Sequence, residues 1–109
     1  MELKRDNAKV LSNLGYTSGR ELAPRRVDFN LVFPSIADRS QNEGPVGKLG
    51  FGWEPSETSV KSGTFEATAF RELHPELDAI TEAEIALIEQ VTPCGGFVDG
   101  WGFFRDTVH

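Results

Sequence analysis

The stretch Cys94-Gly95-Gly96-Phe97-Val98-Asp99-Gly100-Trp101-Gly102-Phe103-Phe104 constrains this chain more than any other. Its paired glycines supply the positive φ angles that stop a helix and turn the backbone. Beyond them side chains alternate between two faces, as a strand requires. Phe97, Asp99, Trp101 and Phe103 fall on one face, and Val98, Gly100, Gly102 and Phe104 on the other. A glycine inside a strand costs about 0.5–1 kcal/mol relative to alanine. Two of them therefore predict a helix or a ring packed close to the backbone, as over a central strand crowded by its covering helix. A second reading makes Asp99 and Trp101 the markers of a recognition surface on the opposite face.

The rest of the chain supplies partners for that strand. Leu3, Val10, Leu11 and Leu14 space out one stripe of an amphipathic helix over Glu2–Leu14, with Gly15 at its C-terminal cap. From Val27 the period becomes two: Val27, Phe29, Leu31 and Phe33 alternate with Asp28, Asn30 and Val32 until Pro34 closes the strand. Ser35 is placed to cap a helix through Arg39, but Asn42-Glu43-Gly44-Pro45 reads as a turn, so that helix is expected to be short or broken. Leu49–Glu54 and Thr64–Glu72 read as two strands of a hairpin with a long loop. Thr81-Glu82-Ala83-Glu84 is a capping box at the start of the last helix, with Ile80 and Ile85 as its hydrophobic staple. Ile85, Ile88 and Val91, with Leu87 at the margin, form that helix's expected buried stripe. The predicted order is a helix followed by strand–helix–strand–strand–helix–strand. That is an α+β, ferredoxin-like βαββαβ sandwich: a four-stranded antiparallel sheet with helices on one face, preceded by an N-terminal helix.

Composition narrows the function classes. At 109 residues the chain is expected to form a single domain over 1–109. Its one cysteine, Cys94, rules out an internal disulfide and a cysteine-based zinc site, which fits a reducing compartment. Met1–Asp6 leads into no apolar run and no stretch is long enough to cross a membrane, so the expected location is the cytoplasm. Net charge is −6 and unevenly spread: Glu72, Glu76, Asp78, Glu82, Glu84 and Glu89 lie in a stretch with no lysine or arginine. Such a balance disfavours non-specific nucleic-acid binding, which phosphate neutralisation drives, and suits a basic protein partner.

Catalysis has no recognisable carrier. His74 and His109 have no neighbours at metal-ligand spacing, and Cys94 beside two glycines reads as a small residue tucked at a helix end. There is no Gly-x-Ser-x-Gly elbow and no phosphate-binding glycine loop, so no enzyme activity and no cofactor are expected. Gly96-Phe97-Val98 and Gly50-Phe51-Gly52-Trp53 are similar to the aromatic strands of an RNA-recognition module. The basic residue that should precede the Gly-Phe pair is absent, the pattern falls on the last strand rather than the third, and the acidic charge opposes it. An RNA-binding module stays as the alternative.

Gly95-Gly96-Phe97-Val98-Asp99-Gly100-Trp101-Gly102 resembles the C-terminal signature of the RraB family, regulators of ribonuclease E activity. Leu14-Gly15-Tyr16, Pro24-Arg25-Arg26-Val27-Asp28-Phe29, Phe33-Pro34 and Gly50-Phe51 extend the resemblance over most of the chain. It implies a ferredoxin-like, non-catalytic regulator that binds the scaffolding half of ribonuclease E and lowers its activity. The expected contact residues are Glu82, Glu84 and Glu89 on the last helix with Asp99 and Trp101 on the last strand. The simpler roles for the last two are an Asp99 pair with Arg25 or Arg26 and a Trp101 in the core. An immunity-type protein that blocks a toxin is a further reading within the same binding class.

Overall fold

A computed structural model describes Asn7 and residues 24–56, 65–74 and 76–103. Its elements are strand β1 (Arg25–Phe33), helix α1 (Ile36–Lys48), strand β2 (Gly52–Pro55), strand β3 (Phe65–Leu73), helix α2 (Leu77–Val91), a 3-10 turn (Thr92–Cys94) and strand β4 (Phe97–Phe103). The four strands form one sheet in the order β2-β3-β1-β4, every neighbouring pair antiparallel. The chain is therefore α+β. The expected N-terminal helix lies outside the described residues except for Asn7.

The alternation read in β1 decides which face is covered. Val27, Phe29, Leu31 and Phe33 are buried, and they share one cluster with Val46 of α1 and Ile80, Leu87 and Val91 of α2. Both helices therefore lie on this face. Across the β1–β3 ladder Phe29 faces Ala69 and Leu31 faces Ala67, so large side chains interleave with small ones as dense packing requires. Burying each large apolar side chain contributes about 1.5–3 kcal/mol, so β1 dominates the core. The expected pairing is made, β2 with β3, and Phe51 and Trp53 both pack inward, but the strand starts at Gly52 rather than Leu49, because Leu49 caps α1 and Gly50 turns the chain at φ 97°.

Helix α1 departs from expectation. Ser35 caps it as predicted, its hydroxyl accepting from the Asp38 amide at 3.0 Å. The helix then runs unbroken through Gly44 and Pro45 to Lys48. Tertiary contacts override the proline. Val46 is fully buried, and buried Asn42 accepts a hydrogen bond from the Gln90 side chain of α2 at 3.2 Å. Breaking the helix at Gly44 would release both anchors.

Helix α2 begins at Leu77, four residues before the capping box. Glu76 holds the N-cap position without a side-chain hydrogen bond, while Thr81 and Glu84 are buried inside the helix. The earlier start tucks Leu77 against the core and places Ile80, the expected staple, at full burial. The buried stripe is Ile80, Ala83, Leu87 and Val91, and Ile85 and Ile88 are half-buried at its margin. Apolar residues occupy more than half of this helix's circumference, so periodicity alone left the centre of the stripe ambiguous.

The last strand is an edge strand, not a central one. Gly95 ends the preceding turn at φ 86° as predicted. Within β4 the register with β1 shifts between Phe29↔Trp101 and Leu31↔Val98, so Asp99 and Gly100 together face Asn30. Gly100 adopts φ 89°, the conformation a bulge of this kind demands. The bulge breaks the simple alternation. Trp101, Phe103 and Val98 pack on the core side, whereas Phe97, opposite Val32, lies on the other face, which neither described helix covers. The expectation of close packing over the glycines also fails among the described residues: a Cβ at Gly100 or Gly102 would meet none of their atoms within 4 Å. Gly100 serves the backbone conformation instead.

Candidate functional site

The five residues expected to form a contact surface are dispersed. Glu84 is 6% exposed and Trp101 half-buried, and one side chain joins them. Asn7 donates from Nδ2 to Thr81 Oγ1 at 3.0 Å and to Glu84 Oε1 at 3.1 Å, and its Oδ1 accepts from Trp101 Nε1 at 2.8 Å. The residues of the supposed capping box are thus interior polar groups that tie Asn7 to α2 and β4. Every buried polar side-chain atom of the described residues has a partner, as a low-dielectric interior requires. Asn7 was missed in the sequence, although it occupies the stripe position between Leu3 and Val10 where an apolar residue would stand. A polar residue at that phase is the signal.

Glu82 and Glu89 are exposed and make no ion pair among the described residues. Seven residues apart, they lie two turns apart on one outward line of α2, with exposed Asp78 on the same line. Glu82 also borders a shallow groove whose floor includes Leu49, Phe51, Ala83 and Ala86. Asp99 is exposed too, but on the bulge of β4, and by alternation from Val98 its side chain belongs to the uncovered sheet face. The exposed carboxylates therefore occupy two surfaces, one on the helix layer and one on the opposite side of the sheet.

That uncovered face has its own organisation. Arg26 donates from Nε to Asp28 Oδ1 at 2.8 Å and from a terminal nitrogen to Glu54 Oε1 at 2.6 Å. Its guanidinium lies 3.8 Å from the centre of the Phe70 ring, which rests over Gly52 where any Cβ would clash. Desolvation works against the Arg26 charge, but hydrogen bonds and attraction from Asp28 and Glu54 outweigh it and raise its pKa above the ordinary arginine value. The alternative pairing of Arg26 with Asp99 is not made. Further along, Asn30 donates to Glu66 at 2.8 Å. Next to this row Phe97 is 52% exposed.

Among the described residues no group of three His, Cys, Asp or Glu side chains is arranged to hold a metal ion. The Cys94 thiol donates to the Val91 carbonyl at 3.2 Å and accepts from Asn42. No described helix is long and apolar enough to cross a membrane.

These features define a small α+β protein, one antiparallel sheet backed by two helices, with carboxylates exposed on both sides. The family model described as regulator of ribonuclease activity B, RraB, matches residues 4–103. The chain belongs to the RraB family, a family of regulators. No curated protein matches it closely enough to be reported as a relative.

Proposed function

We propose that this protein is a non-catalytic regulator that binds a basic partner protein and so lowers ribonuclease activity and alters RNA decay. The partner in this reading is the scaffold half of ribonuclease E, and the regulator acts in the cytoplasm as a single domain without a cofactor. Family membership supports the regulatory part. The observation that carries the binding part is the outward line of Glu82 and Glu89, carboxylates without an ion pair among the described residues, in a stretch from Glu72 to Glu89 that holds no lysine or arginine. Exposed carboxylates of this kind raise the encounter rate with a cationic partner, and their effect falls with salt. Asp99 adds to the acidic surface from the sheet side, while Glu84 and Trp101 contribute by holding α2 and β4 together through Asn7. A ferredoxin-like assignment accompanies the reading, supported by the βαββαβ order and the strand order β4-β1-β3-β2.

Charge reversal tests the assignment. The double variant Glu82→Lys/Glu89→Lys should fold normally, since both residues are exposed, and should relieve inhibition of ribonuclease E in a cleavage assay. Full inhibition by the variant at low salt would refute the role of α2.

A further inference from the structure

The uncovered sheet face carries an exposed aromatic ring that nothing in the described chain uses. Phe97 stands at the β4 edge, 52% exposed, opposite Val32. Elsewhere this protein repeatedly places guanidinium groups over phenylalanine rings. Arg26 sits 3.8 Å from the centre of Phe70, Arg25 4.8 Å from Phe103 and Arg71 5.7 Å from Phe51. Among the described residues Phe97 has no such cation. Its approach is open, because β4 is an edge strand with no further described strand beside it, and Gly100 and Gly102 further along β4 carry no side chains.

Charge says what fits there. On this face the described residues present Asp28, Glu54, Glu66, Glu72 and Asp99 against a single cation, Arg26, already held by Asp28 and Glu54. Asp99 follows Phe97 on the same side of the strand and has no ion-pair partner among the described residues. A ring face next to a free carboxylate suits a planar cation, which gains the ring quadrupole and a hydrogen-bonded carboxylate together. An ammonium gains less because it stays strongly hydrated and cannot stack flat. A phosphate backbone would meet repulsion.

We propose that the Phe97–Asp99 edge of the open sheet face receives an arginine side chain from an arginine-bearing segment of a partner protein. This rests on the reading of the chain as a binder of basic protein, and it adds the sheet face to the contact. The guanidinium lies over Phe97 and bonds Asp99. Alternation from Phe97 keeps Asp99 on that side, and the bulge that follows turns Trp101 and Phe103 to the core side.

The test is a calorimetric titration of the full chain with a short arginine–glycine peptide, its lysine–glycine analogue, an acidic peptide and an unstructured RNA oligonucleotide. The arginine peptide should bind more tightly than the lysine peptide, and the acidic peptide and RNA should not bind. Phe97→Leu keeps an apolar side chain at an exposed position. It should weaken the arginine peptide by about two- to fivefold, the range for an exposed cation–π contact, and erase the preference over lysine. Asp99→Asn should weaken both basic peptides. No binding of the arginine peptide, equal binding by wild type and Phe97→Leu, or RNA binding that Phe97→Leu removes would each overturn the proposal. Titrating the ribonuclease E scaffold half alongside separates the two ideas. Phe97-dependent peptide binding without scaffold binding leaves the arginine site standing and removes that partner; scaffold binding that ignores Phe97→Leu does the reverse.

Discussion

At Gly100 the backbone sits at φ 89° with no described atom within 4 Å of where a Cβ would stand, so conformation rather than crowding demands glycine. Gly100→Ala should therefore cost about 1–2 kcal/mol, the penalty of a left-handed alanine. Gly102→Ala, with neither positive φ nor a clash, should change stability by no more than about 0.5 kcal/mol. Urea unfolding of the two variants checks the contrast. Equal losses would mean that the bulge is not where Gly100 places it. Asn7 is the other residue on which much converges. Asn7→Ala removes the acceptor of Trp101 Nε1 and the donor to Thr81 and Glu84, and should destabilise by about 2 kcal/mol. A loss below about 0.5 kcal/mol in the same assay would contradict the polar node. Neither feature was legible in the sequence. A bulge adds one residue to one strand, and alternation counts straight through it, which is how Phe97 and Trp101 were assigned to one face. The node joins positions 94 residues apart, from Asn7 to Trp101, and no local pattern encodes such a pairing.

At the scale of elements, strand β1 was legible because burial of one face writes a period of two directly into the residues. The same holds for the β2–β3 hairpin and for the Gly95 stop. The helices were harder. The Thr81–Glu84 spacing matches a capping box, yet the same spacing also places two polar groups on one flank of a longer helix, where Asn7 meets them. The true N-cap, Glu76, makes no side-chain bond, so Glu76→Ser should stabilise α2 by about 0.5–1 kcal/mol, visible as a raised thermal midpoint. An unchanged or lowered midpoint would argue against a start at Leu77. In α1 the Gly44-Pro45 pair outweighed every other cue, although buried Val46 keeps the helix continuous. An interior proline costs about 3 kcal/mol, so Pro45→Ala should stabilise the protein, and circular dichroism should show no loss of helix.

On the scale of the whole molecule, net charge −6 is arranged on two sides. The helix layer shows Glu82 and Glu89, and the open sheet face shows Asp99 beside Phe97. The acidic C-terminal half was legible from composition alone. Its division between opposite faces was not, because that depends on which side of the sheet the helices cover. Binding to a basic partner through such surfaces should weaken steadily as salt rises, since exposed charges are screened beyond about 8 Å at physiological ionic strength. The measurement that bears most directly on the proposed function is a titration of this protein against the isolated scaffold half of ribonuclease E across a salt series, with an acidic protein of similar size as control. The account predicts micromolar or tighter binding at physiological salt that weakens with added salt and that the control lacks. Absence of binding at low salt, or binding that the control reproduces, would contradict it.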